Sequence, residues 1–105
     1  HVLFPINSSY FSKTQYGSKL ADLARFLQQK PNYNIKLIGY ADAKTGSDNY
    51  NFFISAKRAK RVYDYLINLG VPANRMEHRS NGGTLEFSLG DDVTNNRRTE
   101  ILIFE

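Results

Sequence analysis

The sequence predicts an α+β fold, an α/β sandwich in the order β-α-β-α-β-β, with a mixed parallel and antiparallel sheet and the two main helices packed on one face. Three observations predict it. Two stretches carry apolar residues at helical spacing, Tyr16, Leu20, Leu23 and Leu27 in the first and Ile54, Val62, Tyr65, Leu66 and Leu69 in the second. Short β-rich runs flank and separate them. The last run, Arg98 to Phe104, alternates Ile101 and Ile103 against Leu102 and Phe104. Strands alternating with helices call for at least one parallel βαβ unit, and the final pair adds an antiparallel element.

Each element has its own signals. Val2 to Ile6 reads as a strand, with Pro5 arguing for an edge or a bulge. Asn7-Ser8-Ser9 is a turn. Ser12 or Thr14 caps the first helix, and Lys30-Pro31-Asn32 ends it. Asn34 to Tyr40 is a strand with Ile35 and Leu37 on one face and Lys36 and Ile38 on the other. Ala43 to Ser47 is a loop in which Gly46 is free to take positive φ. Ser47 or Asp48 caps the long second helix, and Gly70 stops it. Arg75 to Ser80 is a weaker strand, and Asn81-Gly82-Gly83 with the stretch to Asn96 reads as one long connection.

Composition narrows the function classes. The chain has 105 residues and reads as one domain, 1–105, large enough for a single core. Its net charge of +4 is spread along the whole length, whereas nucleic-acid modules concentrate basic residues and interleave them with aromatics on exposed strands. No nucleic-acid partner is expected. The absence of cysteine excludes disulfides, zinc–thiolate sites and thiol nucleophiles. No apolar run approaches the roughly 18 residues of a membrane span, so no direct membrane insertion by this domain is expected. His1 opens directly onto a strand-like run, which predicts a processed product or a domain of a longer protein.

The residue that points to chemistry is Arg58. On a wheel of about 100° per residue, Arg58 and Asn51 fall inside the apolar stripe of the second helix. Lys57, Lys60, Arg61 and Asp64 fall outside it. A core-facing guanidinium is costly unless it meets a carboxylate or an anionic ligand. Asp42, at the end of the preceding apolar run, is the nearest candidate in sequence. A purely structural ion pair between the two is the plainer reading of this pattern. Ser55 reads as a bystander or a back-bonding hydroxyl. His1 and His78 have no partner histidine at ligand spacing, and Asp91-Asp92 lacks the alternating oxygens of a calcium loop, so neither metal nor cofactor is expected. With no Ser-His-Asp set or poised carboxylate pair, no catalytic residue is assigned and the chain is not read as an enzyme.

Taken in order, Gly39-x-x-Asp42, Gly46, Tyr50-Asn51, Ser55-x-x-Arg58-Ala59, the Gly70-Val71 turn and Asn96-Arg97-Arg98 resemble the OmpA-like C-terminal domain. That family includes the peptidoglycan-associated lipoprotein and flagellar stator periplasmic domains. The likeness runs through nearly the whole chain. It departs from the common pattern in reading Gly39-Tyr40-Ala41-Asp42 where members often have Gly-His-Thr-Asp, and Ile54-Ser55 for Leu-Ser. The resemblance implies non-covalent binding of the peptidoglycan stem peptide through its diaminopimelate residue. Asp42 would take the ligand ammonium and Arg58 a ligand carboxylate. Asn51 and Ala41 join that set, and Ser8, Ser9 and Tyr10 at the open end of the first strand form another wall through backbone contacts. Gly46, Asn96, Arg97 and Arg98 support the site, the last three by tying the long loop to the sheet. The resemblance also implies a periplasmic location against the outer membrane of a Gram-negative bacterium, in an outer-membrane-associated parent through which any dimer would form. The alternative is a periplasmic protein–protein interaction domain that keeps the fold without binding peptidoglycan.

Overall fold

The computed structural model describes residues 1–5, 7–43, 46–84 and 96–105. Ser12 caps the first helix, α1 (Lys13–Gln29), its hydroxyl accepting from the Gln15 N–H. Ser47 does the same for α2 (Asp48–Asn68), accepting from Tyr50. At the far end of α2, Gly70 stands at φ 97°. Its N–H donates to the Ile67 carbonyl and the next, of Val71, to Leu66, a Schellman closure that only a residue tolerant of positive φ permits. The carbonyls at the end of α1 are met from elsewhere. The Arg75 guanidinium, on a single 3-10 turn (Ala73–Arg75), donates to the carbonyls of Leu27, Lys30 and Tyr33.

Four strands, β1 (Val2–Leu3), β2 (Asn34–Asp42), β3 (Met76–Thr84) and β4 (Arg98–Phe104), form one sheet in the order β1-β4-β2-β3. β2 and β3 are parallel and joined through α2, the predicted βαβ unit. β4 lies antiparallel to both β1 and β2. It does not pair with β3, its neighbour in sequence, but inserts between the first two strands. The α+β class, the element order and the mixed sheet are those the sequence predicts. Leu20, Leu27, Ile35, Leu37, Val62 and Leu66 fill the core between helices and sheet.

Three strands differ in extent from the sequence reading, β2 by running two residues past Tyr40 to Asp42. β1 is shorter than Val2–Ile6: the Phe4 N–H still reaches the Arg97 carbonyl at 2.8 Å, but Pro5 has no N–H to continue the ladder. β3 is longer than Arg75–Ser80. It starts after the 3-10 turn and runs on through Asn81-Gly82-Gly83, which the sequence reads as connection. Its register against β2 slips by one residue, with Gly39 facing Ser80 and Tyr40 facing Gly82, so Asn81 is the extra residue of a bulge and Gly82 takes φ 78°. The remainder of the predicted connection, including Asp91-Asp92, lies outside the described residues. No helix among the described residues is long and apolar enough to cross a membrane.

Candidate functional site

The site begins with a glycine. A Cβ built on Gly39 would stand 2.8 Å from the carbonyl carbon of Ser55, closer still to its oxygen, and 3.0 Å from the Ala59 nitrogen. Only glycine on β2, facing small residues on α2, lets helix and strand approach this closely. Ser55 and Ala59 are fully buried at that crossing. The Ser55 hydroxyl donates to the Phe52 carbonyl one turn back and accepts from the Gly82 N–H at 2.9 Å. It also meets the Ser80 hydroxyl, so it ties α2 to the bulged end of β3. The back-bonding role expected for Ser55 is present, and the tie to β3 comes in addition.

This crossing carries Arg58 to the end of β2, where it is 1 % exposed. Among the described residues its guanidinium pairs with main-chain carbonyls rather than with a carboxylate. Nε donates to the Ser8 carbonyl at 2.9 Å, Nη1 to Tyr40 at 3.1 Å and Nη2 to Pro5 at 3.1 Å. The ion pairs among the described residues do not include Arg58. The Asp42–Arg58 salt bridge that the sequence suggested is therefore replaced by three main-chain carbonyls from two separate segments. Carbonyl dipoles satisfy N–H groups without cancelling the charge. Burial, then the nearby Arg97 charge, accordingly lower the Arg58 pKa to about 10, with Tyr50 acting in the opposite direction. Two of the five guanidinium N–H groups remain beyond these three bonds.

Asp42 and Arg58 do share one small cleft, lined also by Asn7, Ala41, Tyr50, Asn51, Ile54 and Arg97. Asp42 is 1 % exposed at the last position of β2. Asn51 is wedged between two glycines: its Oδ1 lies 3.1 Å from where a Cβ on Gly46 would stand, and its Nδ2 3.1 Å from one on Gly83. Gly46, at φ 74°, would also push a Cβ to 2.8 Å from the Tyr50 ring. A side chain at Gly46 would therefore crowd both Asn51 and Tyr50.

The segment after β1 forms the opposite wall. Asn7 takes φ 54°, and its side-chain oxygen accepts from the Tyr50 hydroxyl at 3.0 Å. The Ser8 hydroxyl accepts from the Tyr10 N–H at 3.0 Å, closing the turn on itself. Arg61 Nε donates to the Ser9 carbonyl at 3.1 Å, and its guanidinium stacks 3.9 Å from the centre of the Tyr10 ring. So α2 holds this wall with two arginines. Ser8, Ser9 and Tyr10 do not line the Asp42 cleft; they line a second one beside it. Of the late residues, Arg97 lines the first cleft and donates from Nε to the Phe4 carbonyl at 3.1 Å. Buried Arg98 lies 3.8 Å from the centre of the Tyr40 ring and pairs with Glu100 at 3.2 Å, and Asn96 is buried beside them. They brace the sheet end; the loop they were read as tying lies outside the described residues. Ile54, read as core, lines the cleft, and its spacing three after Asn51 and four before Arg58 was the available signal. Among the described residues no group of His, Cys, Asp or Glu is arranged to hold a metal ion.

The same fold recurs in known proteins. The OmpA family model matches residues 3–100. The chain is 40 % identical over 71 residues to a peptidoglycan-associated lipoprotein of Rhizobium meliloti, covering 68 % of this chain and 40 % of that protein. It is 33 % identical over 93 residues to the lipoprotein of the same name from Brucella melitensis, covering 89 % of this chain and 54 % of the relative. It therefore spans about half the length of these relatives. The crystal structure of the peptidoglycan-associated lipoprotein from Burkholderia pseudomallei superposes with a TM-score of 0.88 at 31 % identity, over 98 % of this chain and 88 % of that one. The C-terminal domain of Helicobacter pylori MotB has the same fold, with a TM-score of 0.82 at 23 % identity over 99 % of this chain and 82 % of that one. With a match from the first strand into the last, and with the Gly39 crossing carrying Arg58 to the strand end, this chain belongs to the OmpA family.

Proposed function

We propose that this domain binds the peptidoglycan stem peptide non-covalently through its diaminopimelate residue and so anchors its parent protein to the cell wall. The observation that carries the reading is the state of Arg58. A guanidinium 1 % exposed, met by carbonyls but by no carboxylate among the described residues, lines a cleft together with Asp42. A ligand carboxylate supplies the missing counter-charge to the remaining N–H groups of Arg58. The ligand ammonium turns to Asp42. Ala41, Asn51 and the main chain of the Asn7–Tyr10 wall shape the remaining surface, and Arg97 adds positive potential on the carboxylate side. The relatives carry peptidoglycan association in their names, which supports a location on the periplasmic side of the outer membrane. It is a binding module, not an enzyme.

The test is a ¹⁵N-resolved NMR titration with a diaminopimelate-containing muropeptide, beside the Asp42→Asn protein. Shifts gathered at 7–10, 39–43 and 51–58, and lost in the variant, are expected. A folded wild-type domain that shows no shifts at millimolar ligand removes the proposal. Equal affinity for a lysine-type stem peptide, which lacks the side-chain carboxylate, removes the role of Arg58.

A further inference from the structure

The second cleft, beside the first, enters the reading above only through the main chain of its Asn7–Tyr10 wall. Asn7, Tyr50 and Ile54 line both. The hydrogen bond from Tyr50 to Asn7 lies between them as a shared partition. The second cleft adds Tyr10, Phe53 and Lys57. Tyr10 is 66 % and Phe53 56 % exposed, two rings turned to solvent beside the cleft. The Tyr10 ring is held in place by the Arg61 guanidinium stacked on it.

Lys57 is the uncommitted cation here. Arg58 is engaged by three carbonyls and Arg61 by Ser9 and the Tyr10 ring. Lys60, one turn on, pairs with Asp64 at 3.0 Å. Lys57 makes no ion pair among the described residues; its ammonium rests 4.7 Å from the centre of the Phe53 ring, leaving its donors to solvent.

We propose that this cleft is a second subsite for the same ligand, taking the carboxylate-bearing peptide segment next to the diaminopimelate, with Lys57 pairing the carboxylate and Tyr10 and Phe53 flanking the chain. The inference rests on the stem-peptide reading. In such a peptide the residue before diaminopimelate is a glutamate joined through its γ-carboxyl, so its α-carboxylate stays free one residue away. Contiguity of the two clefts suits that short spacing, and the lysine suits the charge. Amidation of that carboxylate, a change of one functional group, removes the anion while leaving the ligand's shape.

The experiment is calorimetry of the tripeptide L-Ala-γ-D-Glu-diaminopimelate against its form amidated at the glutamate α-carboxyl, on the wild-type, Lys57→Gln and Lys57→Arg proteins. The wild type is expected to favour the acid by about three- to fivefold, the range of a partly exposed ion pair. Lys57→Gln should erase that preference by weakening the acid alone, and Lys57→Arg should keep it. If Lys57→Gln weakens both forms equally, or neither, while Asp42→Asn still abolishes binding, the second subsite is wrong and the stem-peptide reading stands. If the wild type binds neither tripeptide, both fall.

Discussion

Gly39 and Ser55 touch backbone to backbone: a Cβ on Gly39 would meet the Ser55 carbonyl group, its carbon at 2.8 Å. Neither partner can yield by rotating a side chain. Gly39→Ala is therefore expected to force α2 off β2, costing at least about 3 kcal/mol, the upper range for overpacking. Because α2 carries Arg58 and Asn51, ligand affinity should fall with stability. Urea unfolding of the variant checks the first, and an unchanged midpoint would show that the crossing is looser than described.

Arg58→Lys tests whether geometry or charge matters at the strand end. A lysine keeps the charge but lacks the planar fork that reaches Pro5, Ser8 and Tyr40 at once. At least one part-buried carbonyl loses its donor, and a loss of about 2 kcal/mol is expected. Binding to muropeptide should drop steeply in the folded variant. Calorimetry on the lysine protein decides the point, since full affinity would mean that charge alone suffices.

The lowered pKa of Arg58, about 10, gives a spectroscopic handle. Its folded value lies below the unfolded one, so the charged form is disfavoured by folding and carries a penalty of a few kcal/mol at neutral pH. That penalty is relieved as pH climbs from about 10 towards the ordinary arginine range, so this group's contribution to stability rises with pH in that window. The Arg58 ¹³Cζ resonance should titrate near pH 10 in the free domain. A bound carboxylate stabilises the cation and should move that titration upward. An Arg58 signal that stays flat through pH 11 in the free domain would contradict the burial argument.

Ser55→Ala separates the scaffold from the site. The buried Gly82 N–H loses its acceptor and Ser80 loses a partner, a cost of about 1–2 kcal/mol. Ser55 does not line the cleft, so affinity should stay within about twofold. Thermal unfolding and a muropeptide titration on the same sample read the two effects apart.

Much of this was legible in the chain. Helical periodicity placed Arg58 and Asn51 on the core side of α2, and capping residues marked both helix starts. The partner of Arg58 was not legible, because side-chain patterns say nothing of carbonyls: Pro5, Ser8 and Tyr40 contribute only main chain. The extension of β3 was hidden for a related reason. Asn81-Gly82-Gly83 has turn composition, yet parallel pairing with β2 holds it extended, and its bulge residue needs the glycine that suggested a turn. Likewise Arg97 read as a loop tie, and only the insertion of β4 beside β1 brings it to the cleft.

That insertion sets the order in which the domain can be completed. β2, α2 and β3 lie within residues 34–84 and can pair among themselves. β1 has no such neighbour: Val2 pairs with Thr99 and Leu3 with Arg98, almost a full chain length away. Loop closure over that distance comes late. On a chain emerging from its N-terminus, the wall that follows β1 waits for β4 before it has a sheet to hang from. The cleft is therefore complete only once β4 is in place, and a partly made domain carries Arg58 without the wall it holds.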